Sequence, residues 1–175
     1  MDIELMGAIG RAGAAAVLGL AAVGSAMGTG TAGMAAVGAW KKCFAQSKAA
    51  PFILITFIGA PLSQTIYGMI LMLQINGGIA EALEVARAAD VTTAAGLAAL
   101  SMEDVGILFA WPMLLSMGLF GGLGMAASAY YQGKAGASGA DALAETGQGF
   151  GNYLMTIGIV ETVALFVLVF MLILI

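Results

Sequence analysis

Apolar residues along this chain fall into four long runs separated by short polar stretches. The first extends from about Gly7 to Trp40 and is built largely from Gly and Ala. The second begins after Pro51, a residue suited to a first helical turn, and continues to about Asn76. The third follows the capping-box-like Ser101-Met-Glu-Asp104 and runs through Leu123 towards Gln132. The fourth is Gly149 to Ile175. At about 1.5 Å per helical residue, runs of this length cross a bilayer core of about 30 Å. The pattern predicts an all-α membrane protein with four transmembrane helices arranged as two hairpins. Residues 1–76 form the first hairpin, 77–104 an extramembrane connector and 105–175 the second hairpin. Inside the connector, the stretch Ile79 to Ala89 reads as a short surface helix, with Glu84 and Arg87 spaced to pair.

Composition strengthens the membrane reading. Hydrophobic residues make up 61% of the 175 and charged residues 9%, with a mean hydropathy of +1.01, which excludes a soluble domain. There is no His and one Cys, so the chain forms no internal disulfide and no thiolate or imidazole metal cage. Cys43 reads as an inert thiol in a loop. The net charge of −4 comes with no basic stripe, so nucleic acid is not an expected partner. The opening Met-Asp-Ile-Glu lacks the positive region of a signal peptide. Trp40, Trp111 and Tyr153 suit interfacial anchors, and the methionines suit packing. Lys41, Lys42 and Lys48 follow the first run and Lys134 the third, whereas the middle segment holds acids against Arg87 alone. Counting basic residues places both hairpin loops in the cytoplasm and both termini outside, with Arg11 counting the other way.

The two halves look duplicated. Runs one and three are glycine-dense, as in Gly24-Ser-Ala-Met-Gly28-Thr-Gly30 and Gly118-Leu-Phe-Gly121-Gly122-Leu-Gly124. Runs two and four are bulkier, and Gln64-Thr65 sits in one where Glu161-Thr162 sits in the other. Both hairpins enter from the same side, so the repeats are parallel, related by an axis along the membrane normal. Small residues let helix backbones approach closely in lipid. Narrow helices inside and wide helices outside are what a ring of many hairpins requires.

Glu161 is the lone acid near the middle of the fourth run. An ionised carboxylate there costs roughly 2.5–3.5 kcal/mol on insertion scales, so it needs a partner. Ala60, Ser63, Gln64 and Tyr67 share one helical face by their i, i+3, i+4, i+7 spacing. Pro61 among them removes a backbone hydrogen bond and kinks the helix, which can expose a carbonyl. Gln132 and Glu161 are equidistant from a turn near Thr146, so antiparallel helices bring them to one depth. Hard cations prefer oxygen ligands, and one anionic oxygen donor among several neutral ones suits a monovalent ion.

Pro61-Leu-Ser-Gln64-Thr-Ile-Tyr67-Gly68, Gln132-Gly133-Lys134 and Val160-Glu161-Thr162 resemble the duplicated proteolipid (c- or K-type) rotor subunits of V-type ATPases, in particular their sodium-translocating bacterial members. The resemblance spans nearly the whole chain. It implies a sodium ion held by the Ala60 carbonyl, Ser63, Gln64, Gln132 and Glu161, with Tyr67 hydrogen-bonded to the glutamate. Ser63 stands where a threonine is familiar, and the 77–104 connector is longer than the family's. The resemblance further implies a homo-oligomeric ring in membrane lipid, with helices one and three inside and two and four outside. A stator subunit's essential arginine would release the ion, and central-stalk subunits would dock at the cytoplasmic hairpin loops. The plasma membrane of a bacterium or archaeon is the implied location. The chain itself would not be an enzyme, since it has no phosphate-binding Gly-x-x-x-x-Gly-Lys-Ser/Thr motif. Gln64 in place of a second acid implies one ion per chain. Two other readings stay open: a proton-translocating rotor of the same fold, and a small four-helix carrier or channel.

Overall fold

A computed structural model describes all residues, 1–175. The first helix, α1, spans Ile3–Ala45 and starts on an Asp2 cap, whose carboxylate accepts from the Glu4 and Leu5 amides at 2.8 and 3.3 Å. A 3₁₀ turn (Phe52–Leu54) leads into α2 (Ile55–Gly59), a second 3₁₀ turn (Ala60–Leu62) and α3 (Ser63–Ala88). Two short helices follow, α4 (Ala94–Leu97) and α5 (Met102–Phe109), then the long α6 (Trp111–Thr146) and α7 (Phe150–Leu174). Four segments are long and apolar enough to cross a membrane: α1, the α2–α3 rod, α6 and α7.

Pro61 accounts for the interruption in the second rod. It has no N–H to return to Phe57 four residues earlier, and the backbone tightens locally into the 3₁₀ turn at Ala60–Leu62. The rod then continues past Gly77 and Gly78 as far as Ala88. Ile79, Leu83 and Ala86 on this extension are buried in a cluster with Ile3, Leu97, Val105 and Leu108. Burial of that stripe outweighs the two helix-weakening glycines. The Ser101 hydroxyl does cap a helix, accepting from the Glu103 amide at 3.3 Å, but the helix is the short α5, and the long span begins only at Trp111-Pro112.

The narrow helices α1 and α6 pack along each other. A Cβ added at Gly118 would strike the Gly13 carbonyl, and one at Gly133 would strike the Gly28 backbone. Backbone therefore touches backbone, and any side chain there would push the helices apart. The wider α3 packs on α1, and α7 packs on α6. Gly147 and Gly149, at φ 68° and 84°, turn the chain between α6 and α7 in a conformation that costs other residues more.

Both hairpin turns lie at one end. Trp40 donates its indole N–H to the Pro51 carbonyl at 2.8 Å, and Lys42 pairs with Asp141 at 2.8 Å. At the other end the connector clasps the N-terminus: the Ala94 amide donates to the Met1 carbonyl at 2.9 Å and the Ile3 amide to Thr92 at 3.3 Å. Arg87 bonds Glu4 through Nη2 at 2.6 Å and Nε at 2.9 Å, in place of the expected Glu84. The fold-back of the connector brings Glu4 of α1 within reach of the guanidinium.

Candidate functional site

Three helices converge on Glu161. From α3, Tyr67 donates its hydroxyl to Glu161 Oε1 at 2.7 Å. From α6, Gln132 donates Nε2 to Glu161 Oε2 at 3.1 Å. The two carboxylate oxygens are thus held by two neutral donors on opposite sides. No lysine or arginine pairs with Glu161; the ion pairs are Lys42–Asp141 and Arg87–Glu4, both towards the ends of the bundle.

Behind the carboxylate lies a chain of amides and hydroxyls. Gln64 Nε2 donates to Gln132 Oε1 at 2.8 Å, and both glutamines are fully buried. Buried amides of this kind are costly unless satisfied, and here each holds the other's orientation. The Ser63 hydroxyl has one proton and two acceptors within reach, the Ala60 carbonyl at 3.1 Å and Gln64 Oε1 at 3.2 Å. The 3₁₀ turn around Pro61 sets Ala60 and Ser63 side by side on this face. All six residues singled out in the sequence therefore meet in one network. Ser63, Gln64, Tyr67, Gln132 and Glu161 contribute side chains, and Ala60 contributes its carbonyl.

One member was not legible in the sequence. Ser128, one turn before Gln132 on α6, donates its hydroxyl to the Val160 carbonyl at 2.9 Å and lies 3.4 Å from Gln64 Nε2. Its signal was the i, i+4 spacing to Gln132, hidden in a helix where small residues are the rule. It ties α6 to α7 beside the glutamate and orients the glutamine pair.

Chemically, the site offers a single carboxylate with neutral amide, hydroxyl and carbonyl oxygens around it. No cluster of three or more acidic, His or Cys residues is present to hold a multivalent metal. Such a donor set fits a monovalent cation or a proton, either of which neutralises the one negative charge.

Residues 115–174, covering α6 beyond its first turn and the whole of α7, match the ATP synthase C-subunit family. The match takes in Ser128, Gln132 and Glu161 and leaves the first hairpin outside it. No curated protein matches the chain. The four long apolar helices support an integral, multi-pass membrane protein, and its second hairpin is similar to the ATP synthase C subunit.

Proposed function

We propose that this chain is the rotor-ring subunit of a V-type rotary ATPase and carries Na⁺ on Glu161. The observation that carries the reading is the Glu161 carboxylate, held by Tyr67 and Gln132, with the oxygens of Gln64, Ser63 and Ala60 continuing the same network behind Gln132. A proton needs one acceptor. A sodium ion needs several oxygens, and the neutral set here is larger than protonation requires. Bound to one Na⁺, Glu161 is neutral overall, which lets it pass lipid during rotation.

The close glycine joint between α1 and α6 supports placing these two helices on the inside of the ring, with the bulkier α2–α3 rod and α7 outside. The first hairpin's apolar, glycine-dense helix and its bulky partner favour a duplicated proteolipid, although only the second hairpin carries an intramembrane acid. Since Gln64 is neutral, each chain carries one ion, and a ring of given helix number moves fewer ions per turn. More free energy is then available per ion, which suits pumping against steep gradients. A stator arginine would compete for the Glu161 carboxylate and release the ion into an aqueous half-channel. The hairpin-turn end, which carries Lys41, Lys42 and Lys48, would face the cytoplasm and dock the stalk. ATP hydrolysis, or synthesis in reverse, belongs to a separate head.

Carbodiimide labelling tests the reading. The reagent attacks protonated, ion-free carboxyls, so Na⁺ should protect Glu161 at a pH where it otherwise reacts, while K⁺ at the same ionic strength should not. Labelling that is indifferent to Na⁺ would favour the proton-carrying rotor.

A further inference from the structure

Phe120 and Tyr131 on α6 and Gly19 and Gly30 on α1 have no explanation within one chain. Phe120 and Tyr131 of α6 are 74% and 59% exposed. On α1, a Cβ added at Gly19 or Gly30 would meet nothing within 4 Å. Glycine inside a helix is destabilising relative to alanine, so an interior glycine against which nothing packs calls for an outside occupant.

The joint between α1 and α6 shows what that occupant is. A Cβ at Gly28 would meet Ala129, and one at Gly133 would meet Gly28, so Gly28 lies midway between them, level with Tyr131. Gly13 lies in the same way between Leu114 and Gly118, level with Ser116. The helices therefore run parallel, and the same spacing places Val17 level with Phe120. Within the chain, Val17 touches Gly122 and Gly28 touches Gly133. Moving that joint along by one hairpin turns Val17 and Gly28 into Phe120 and Tyr131, and turns Gly122 and Gly133 into Gly19 and Gly30. The unexplained residues are the counterparts of residues already in contact.

We propose that copies of this chain join by seating Phe120 and Tyr131 of one α6 over Gly19 and Gly30 on the free flank of the next copy's α1. The inference rests on the ring reading above and names how the ring closes. The seam is steric, not ionic: α1 carries no charged residue between Arg11 and Lys41, and Lys134 beside the seam lies over the Tyr130 and Tyr131 rings at 4.7 and 5.6 Å. Inner helices then alternate between close backbone contact inside each copy and aromatic-filled spacing between copies.

Native mass measurement and cysteine crosslinking of the full chain test the seam. The wild type should run as a closed multimer of the 17.6 kDa chain that survives high salt. Gly30→Leu should lose the multimer while keeping its helical circular dichroism, and adding Tyr131→Ala should restore it. In a Cys43→Ala background, Val23→Cys with Ala127→Cys, the counterparts of contacting Gly24 and Ala126, should oxidise to a ladder of crosslinked copies. A multimeric wild type whose mass is unchanged by Gly30→Leu, and whose cysteine pair stays uncrosslinked, overturns this seam and leaves the ring standing. A wild type that runs as a single chain overturns the ring reading itself.

Discussion

Replacing Tyr67 with phenylalanine removes one oxygen and leaves the ring in place. The deleted hydroxyl donates to Glu161 Oε1 at 2.7 Å, one of two protein donors on that carboxylate. Hydrogen bonds to charged groups are worth about 1.5–3 kcal/mol net. Tyr67 and Glu161 are both only part-buried, so the lower end applies, about 1.5 kcal/mol. The loss falls on orientation: without Tyr67 only Gln132 holds the carboxylate, and less of it rests in the oriented form. An ion that binds only the oriented form sees its apparent affinity fall by the lost fraction of that form. At 1.4 kcal/mol per decade, half-protection of Glu161 from carbodiimide should need roughly tenfold more Na⁺. The assay is a Na⁺ titration of labelling on purified, assembled protein, with wild type alongside. Half-protection unchanged within about twofold would refute an orienting role for Tyr67.

Gln132→Ala should be harsher, because it strips a donor from Glu161 and leaves the buried Gln64 amide without its 2.8 Å partner. An unsatisfied buried group costs about 1–3 kcal/mol, so both a larger loss of Na⁺ protection and a lower melting temperature are expected. Gly24→Leu would drive a side chain into the Ala126 backbone and should destabilise the fold by about 3 kcal/mol, read as a fall in thermal stability. Arg87→Ala should barely matter: its pair with Glu4 has side chains 57% and 54% exposed, and such pairs contribute about 0–1 kcal/mol. A large drop in melting temperature would show that the N-terminal clasp depends on this pair more than on its backbone bonds.

The membrane helices were legible because length and apolarity alone define them. Glu161, Gln132 and the Ala60–Tyr67 face were legible because polar groups are conspicuous in such runs and helical spacing fixes which of them meet. Where a helix ends at a polar boundary was harder to read. Gly77-Gly78 looks like a stop, yet Ile79, Leu83 and Ala86 are buried against α1, α4 and α5, and packing carries the helix on to Ala88. The pairing of Arg87 with Glu4 depends on how the connector folds back onto the N-terminus, which spacing along one helix does not contain. Ser128 went unnoticed for the opposite reason, since one more small residue in a helix of small residues gives no contrast.

Direct binding of ²²Na⁺ to the purified, assembled protein tests the central claim. The account predicts one Na⁺ per 17.6 kDa chain, abolished in Glu161→Gln while the assembly persists. Binding that is absent in the wild type, or that survives Glu161→Gln, would contradict it.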